Sequence, residues 1–410
     1  MTGSPEGSGM TSDATSGVGA TALSGRELVG FEGLAERLPT PPFPREDDAG
    51  VIAARLRDVL GVPASSGTTI VREGESWTRD GIDGVALSWN AGWGPDTQAW
   101  LLRPAGETGP LPGVVALHCH SDVKYFGKEK IADGPGETAP EVQRLRSQSY
   151  GGRAMANEIA RSGASVLVHD VFGWGSRRFP VSGMSARSER YAALAEAAAA
   201  VAGSGAGAGA EAVGAGALLG EAERYEIHAA PYEDAVAKVL GLLGTSWGGV
   251  VVSEDLLAAR LLADRADVAP GGVTLVGMSG GGARAVLASA LSDDIRAIGV
   301  MSMMSTFGSL VDGYVNKHTW MMLNPGIGRV AEWPDIAGAR APRPLFVGFA
   351  AEDELFPAEG LRAADVRLAE RYAAAGASAR YRAHWEDAPH SFGVPMQDAF
   401  IRWHRSLVNP

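Results

Sequence analysis

The period of the apolar positions changes along this chain, and those changes outline its architecture. Residues 49–60 carry apolar side chains at helical spacing, and Pro41-Pro42-Phe43-Pro44 separates them from an earlier helix-like piece that begins at Arg26. From residue 68 the pattern turns extended. The runs 85–89 and 98–103 flank a turn rich in Gly, Pro and Asp, which predicts an antiparallel hairpin. After the hairpin, short apolar runs alternate with helical stretches. Strands are predicted at 113–117, 165–169, from Val273 into Gly277, and at 295–301, 344–349 and 379–385. Helices are predicted at 151–162, 232–243, 253–265 and 283–291. Buried strands alternating with helices predict an α/β fold, with a mainly parallel central sheet covered by helices on both faces and the antiparallel hairpin at its N-terminal side.

Composition refines this picture. The first 25 residues are mostly Gly, Ser, Thr and Ala, too poor in large apolar groups to offset the entropy of ordering, so a disordered tail is expected. Residues 26–66 form a helical segment suited to packing on the main domain or on a second copy of the chain. Residues 67–410 are expected to form the main α/β domain, and 192–220, nearly all Ala and Gly, read as a flexible insertion within it. Hydrophobic residues at 45% and charged residues at 20% suit a soluble chain with a sizeable core. A net charge of −12 argues against nucleic-acid or anionic-membrane partners. The lone cysteine, Cys119, excludes an intramolecular disulfide framework and a cysteine-rich zinc module. With no apolar run long enough to span a bilayer and no secretory pattern at the start, a cytoplasmic protein acting on a small molecule is expected.

The chemistry concentrates in Gly277-Met278-Ser279-Gly280-Gly281, between a strand and a helix-forming run. A serine at the apex of so tight a turn is held out above the sheet edge, and the N–H of the next residue, Gly280, faces an oxyanion at the helix N-terminus. A serine hydroxyl needs a base, normally a histidine oriented by a carboxylate. Downstream, the strand at 344–349 runs into Glu352-Asp353-Glu354, and the last strand runs into Pro389-His390. The order is serine, acid, histidine. Among the adjacent acids, Asp353 is preferred because a short side chain before Leu355-Phe356-Pro357 suits a fixed turn. A second oxyanion donor is expected after the strand at 113–117, from the N–H of Cys119 or of His120. Trp174 and Trp320 are candidates for shaping a substrate pocket.

Competing readings exist. His118, His120 and Asp122 have the spacing of a metal-dependent hydrolase motif, although Val123 stands where that motif continues with a histidine. Gly280, Gly282 and Ala285 fit a dinucleotide-binding spacing, but no acid follows the next strand to hold a ribose. The serine could also serve acyl transfer or lactone chemistry, or the chain could be a non-catalytic interaction protein.

These residues resemble the α/β-hydrolase superfamily, and within it the dienelactone hydrolase and acetyl xylan esterase-like branch. The likeness is carried by the Ser279 elbow, by Ala341-Pro342-Arg343-Pro344 leading to Glu352-Asp353, and by Pro389-His390. The stretches 118–130 and 318–322 are similar to bacterial esterase-like members. The resemblance spans roughly 68–410. It implies a cofactor-independent serine esterase with Ser279 as nucleophile, Asp353 as acid and His390 as base. Glucuronoyl esterases, a related group, carry an arginine directly after the nucleophile, where Gly280 stands here.

Overall fold

The computed structural model describes residues 26–408, apart from 32, 40, 65–68, 122, 185, 187–188, 195–196 and 198–219. The expected tail 1–25 and most of the insertion 192–220 lie outside the described residues. The strands are β1 (Arg72–Arg79), β2 (Ile82–Trp89), β3 (Thr97–Pro104), β4 (Gly113–Leu117), β5 (Ser165–His169), β6 (Val273–Met278), β7 (Ile295–Met301), β8 (Leu345–Ala350) and β9 (Tyr381–Glu386). The longer helices are α1 (Ala49–Leu60), α2 (Pro140–Ser149), α3 (Met155–Arg161), α4 (Glu221–Leu242), α5 (Trp247–Ala263), α6 (Gly280–Leu291), α7 (Ala358–Ala374) and α8 (Val394–Val408).

The strands form a nine-stranded sheet in the order β1-β2-β3-β5-β4-β6-β7-β8-β9. β1 to β3 and the β3–β5 pairing are antiparallel, and every pairing from β5 to β9 is parallel. The expected hairpin is β2–β3, with Val85 opposite Leu101 and Leu87 opposite Ala99. The sequence pattern did not reveal β1. Its residues, Arg-Glu-Gly-Glu-Ser-Trp-Thr-Arg, are exposed apart from a half-buried Trp77, as suits a polar edge strand.

Side chains alternate across a strand, and the parallel strands are covered on both faces. Val115 and Leu117 of β4 join a core with Ile52 and Leu56 of α1, Leu262 of α5 and Val286 of α6. Val114 and Ala116 face the other way, into a core with Met155 and Ile159 of α3 and Met396 and Phe400 of α8. Helix α1 is therefore part of the main core, its buried Ile52, Leu56 and Leu60 docked beside α5 and α6.

Two helices start earlier than their periodicity suggests. α4 begins at Glu221, not near 232, and continues through Pro231, which lacks an N–H but does not end the helix. α5 begins at Trp247, not near 253. Ser246 caps it by accepting from the Gly249 N–H at 3.0 Å. Gly248 and Gly249, which read as loop residues, allow close packing: a Cβ on Gly249 would collide with the Leu60 carbonyl at the end of α1, and one on Gly248 with the Asn324 side chain. The expected helix at 151–162 is shortened at its start, because Gly151 and Gly152 have φ of 60° and 77° and form a turn before α3. Among the described residues no single helix is long and apolar enough to cross a membrane.

The carboxyl ends of β4, β6, β7, β8 and β9 share one rim of the parallel sheet, where ligands bind in open sheets of this kind. Gly249→Ala should test how α1 is held on this body. The new methyl meets backbone, so a loss of about 1–3 kcal/mol is expected, read as a lower urea midpoint with an unchanged slope.

Candidate active site

Ser279 sits at the end of β6 with φ 53° and ψ −125°, a strained conformation for a residue with a side chain. Its N–H donates to the Met301 carbonyl at 2.9 Å, and its carbonyl accepts from the Ala283 N–H at 3.0 Å to start α6. The turn closes only because of its glycines. A Cβ on Gly277 would strike the Gly281 backbone, and one on Gly281 would strike the Leu117 carbonyl at the end of β4. Gly280 lies against the Met321 methyl, and a Cβ there would sit 3.0 Å from the His120 backbone nitrogen. A Cβ on Gly282 would press on the Met303 side chain at 2.9 Å. These glycines serve the close packing of the elbow on β4 and its neighbours, which accounts for them without a dinucleotide.

The loops after β8 and β9 are laced together. Ala351 N–H donates to the Glu386 carbonyl at 2.8 Å, and Glu352 N–H to the Ala388 carbonyl at 3.1 Å. Their alignment brings His390 Nδ1 to 2.6 Å from Asp353 Oδ2. Asp353 is buried, and its other oxygen accepts from the Leu355 N–H at 2.9 Å, which is the turn its short side chain suits. Glu352 is exposed. Ser302 Oγ donates to the Ser391 carbonyl at 2.7 Å and Phe392 N–H to the Ser149 carbonyl at 2.7 Å, so the histidine loop is tied on both sides. His318 packs on Phe356, ring centroids 4.6 Å apart. Burial pushes its pKa down to about 4, with the nearby His390 charge acting the same way, so it is neutral near pH 7.

The loop after β4 is fixed by buried cations, none of which the sequence reading singled out as functional. Lys130 donates to the Cys119 carbonyl at 2.9 Å and to the His120 carbonyl at 3.0 Å. Arg284 of α6 donates to the His118 carbonyl at 3.1 Å while held by Asp255 of α5 at 2.6 and 3.0 Å. His118 Nδ1 donates to the Cys119 carbonyl at 3.1 Å. Its ring is kept neutral by burial, followed by the charges of Arg284 and Lys130. Burial also pushes Lys130 down to about 8. Cys119 is buried, with Sγ 2.9 Å from Ser121 Oγ.

Helix α4 binds this loop through carboxylates. Glu226 accepts from the N–H groups of Lys124 and Tyr125, both at 2.7 Å. Glu233 pairs with Lys124 and lies 2.9 Å from His120 Nε2. Burial alone would raise the Glu233 pKa, but the His120 hydrogen bond and the His120 and Lys124 charges hold it at about 2. The arrangement around His120 does not favour the metal reading. His118 Nδ1 faces a neighbouring carbonyl, and a lysine ammonium stands 3.1 Å from His120 Nε2, where it would repel a cation. Asp122 lies outside the described residues. Among the described residues no group of three or more His, Cys, Asp or Glu could hold a metal ion.

Trp174 must also be reassigned. It is wholly buried and packs against the rings of His120 and Trp247, with centroids 5.2 and 5.9 Å away, so it supports the loop from beneath and cannot line an open pocket. Trp320 is half-buried, its indole N–H donating to Asp234 of α4 at 2.8 Å, next to the Met321 that covers Gly280.

No protein-family profile matches the chain. A curated relative, "Putative hydrolase YtaP" from Bacillus subtilis (strain 168), is 23% identical over 285 residues, covering 69% of this chain and 74% of that protein. Among solved structures, the chain is similar to a Bacteroides fragilis protein described as a putative acetyl xylan esterase (TM-score 0.62, 14% identity, 88% and 87% of the two chains). It is also similar to a glucuronoyl esterase from Solibacter usitatus (0.56, 13%, 87% and 91%). A third likeness is to an acetyl xylan esterase from Paenibacillus sp. R4 (0.51, 14%, 91% and 98%). At these identities the likeness establishes the fold, and it is the fold the sequence motifs imply.

The α4 clamp makes a pH prediction. A carboxylate whose pKa is depressed in the folded state stabilises above its unfolded value and loses that contribution as pH falls through the folded one. Glu233 should therefore stabilise the protein at neutral pH and cease to do so as pH falls from 4.5 towards about 2. Glu233→Gln should lower the urea midpoint at about pH 6 and narrow its gap to wild type at about pH 3. An equal gap at both would remove the clamp's electrostatic role.

Proposed function

We propose that this chain, which has the α/β-hydrolase fold, is a serine hydrolase that cleaves a carboxylic ester through an acyl-enzyme on Ser279. The observation that carries the reading is the buried Asp353 joined to His390 at 2.6 Å, on loops at the same rim of the parallel sheet as a serine held at φ 53°. Asp353 accepts the His390 Nδ1 proton, which leaves Nε2 as the base. His390 takes the Ser279 proton as the hydroxyl oxygen attacks the ester carbonyl. The resulting oxyanion is held by backbone N–H groups, one from Gly280 and one from His120. The His120 amide is favoured over that of Cys119 because its nitrogen lies against Gly280. His390 then protonates the departing alcohol, and the same base activates water to release the acid.

The substrate is a small ester. Acetylated or methylated sugar acids and lactones belong to the same chemistry, and the half-buried Trp320 beside Met321 is the candidate for contacting the acyl or alcohol group. No step requires a cofactor. A cytoplasmic location and the absence of nucleic-acid or anionic-membrane partners belong to the same proposal, and the net charge of −12 supports the second.

Ser279→Ala should abolish both p-nitrophenyl acetate turnover and labelling by a fluorophosphonate. Asp353→Asn should keep the fold and lower kcat by on the order of 10³–10⁴, because the wrong His390 tautomer is then favoured. Retained turnover in Ser279→Ala would overturn the assignment. A fall of the same size in Glu352→Gln would move the acid role to its neighbour.

A further inference from the structure

The loop that offers the second oxyanion donor has no regular secondary structure, yet its carbonyls at 118, 119 and 120 each accept from a buried group. Arg284 holds the first, His118 and Lys130 the second, and Lys130 the third. Lys130 itself has no exposed surface. Its turn is anchored in place by Arg146, which donates to the carbonyls of Glu129, Lys130 and Ala132 at 2.7, 3.1 and 2.7 Å. A lysine ammonium buried this completely costs free energy unless something is gained from it. Among the described residues no carboxylate hydrogen-bonds to it, although the Glu226 charge acts on it from nearby. Its two described acceptors are neutral carbonyls, a poorer reward than the ion pairs given to Lys128 by Asp170 or to Arg284 by Asp255.

What these two bonds accomplish follows from peptide geometry. The carbonyl of Cys119 and the N–H of His120 belong to one planar trans unit and point in opposite directions. Turning that oxygen to Lys130 turns the His120 N–H to the other side of the loop, and the His120 nitrogen lies against Gly280, the residue after the nucleophile. A cation on the carbonyl oxygen also polarises the amide and makes its N–H a stronger donor.

We infer that Lys130 is a positioning residue of the oxyanion site, its buried ammonium pinning the Cys119 and His120 carbonyls so that the His120 N–H is aimed and polarised toward the reacting oxygen. The role rests on the esterase reading above, in which that oxygen becomes negatively charged only as the serine attacks. The clamp contributes most where that charge has developed, so it acts on the transition state more than on substrate binding.

Lys130→Met removes the ammonium and keeps an apolar chain of similar length. Lys130→Gln keeps hydrogen-bond donors without the charge and carries the same readouts if the Met variant does not fold. Both are made in the full chain, and rates are expressed per Ser279 labelled to completion by a fluorophosphonate, which removes any unfolded fraction. Loss of one oxyanion donor lowers kcat by about 10²–10³; loss of its positioning should lower kcat about 10–100-fold for p-nitrophenyl acetate while KM stays within about 2-fold. Inhibition by butylboronic acid, whose tetrahedral serine adduct places an oxygen in the same site, should weaken in step with kcat. A rate per labelled serine within about 2-fold of wild type would overturn the inference. So would a rise in KM at unchanged kcat, which would mean that the loop acts on ground-state binding. Either result leaves the serine reading intact, because that reading fails separately, by retained turnover in Ser279→Ala.

Discussion

The contact on which this structure turns is the backbone-to-backbone approach of the elbow to the end of β4. Gly281 lies so close to the Leu117 carbonyl that no side chain fits between them, and Gly277 lies equally close to Gly281. That approach places the start of α6 directly beside the loop 118–121 and puts Gly280 against the His120 nitrogen. Widening it by one methyl would separate Ser279 and Gly280 from the His120 amide. The strain at Ser279 persists because it is held from both sides, by β7 through the Met301 carbonyl and by the first turn of α6.

Around this contact the protein buries several charges and pairs them. α5 contributes Glu254 to Arg177 and Asp255 to Arg284 and His169, and α4 contributes Glu226 and Glu233 to the loop. Such pairs add little net stability, since desolvation offsets much of their attraction. What they supply is orientation. A loop without secondary structure has no ladder to fix its peptide planes, and charged side chains reaching in from two helices and a neighbouring turn do that here.

The α/β-hydrolase architecture was legible because its core strands are short apolar runs, which the chain cannot place anywhere but inside. Ser279 and Asp353 were legible for a related reason: each follows such a run, while His390 follows the half-buried strand β9, and sheet topology delivers strand ends to one rim. The edge strand β1 was hidden by its polarity, with only Trp77 to mark an inner face. The early starts of α4 and α5 were hidden by Pro231 and by Gly248-Gly249, residues whose local preference opposes a helix and whose position is justified only by what packs on them. Trp174 shows the opposite error. An aromatic residue on a loop after a strand suggests a pocket wall, and its complete burial beneath His120 was decided by packing.

Taken alone, then, the sequence determined the order of the core strands, the tight glycine turn and the succession of serine, carboxylate and histidine, because periodicity and backbone sterics act between near neighbours. Tertiary structure decided which acid lies against His390, which amide lies beside Gly280, and that Lys130, Arg284 and Glu233 hold the loop between them. Those are contacts between residues 10 to 166 positions apart, and a pattern of side chains along a chain contains no measure of distances across the fold.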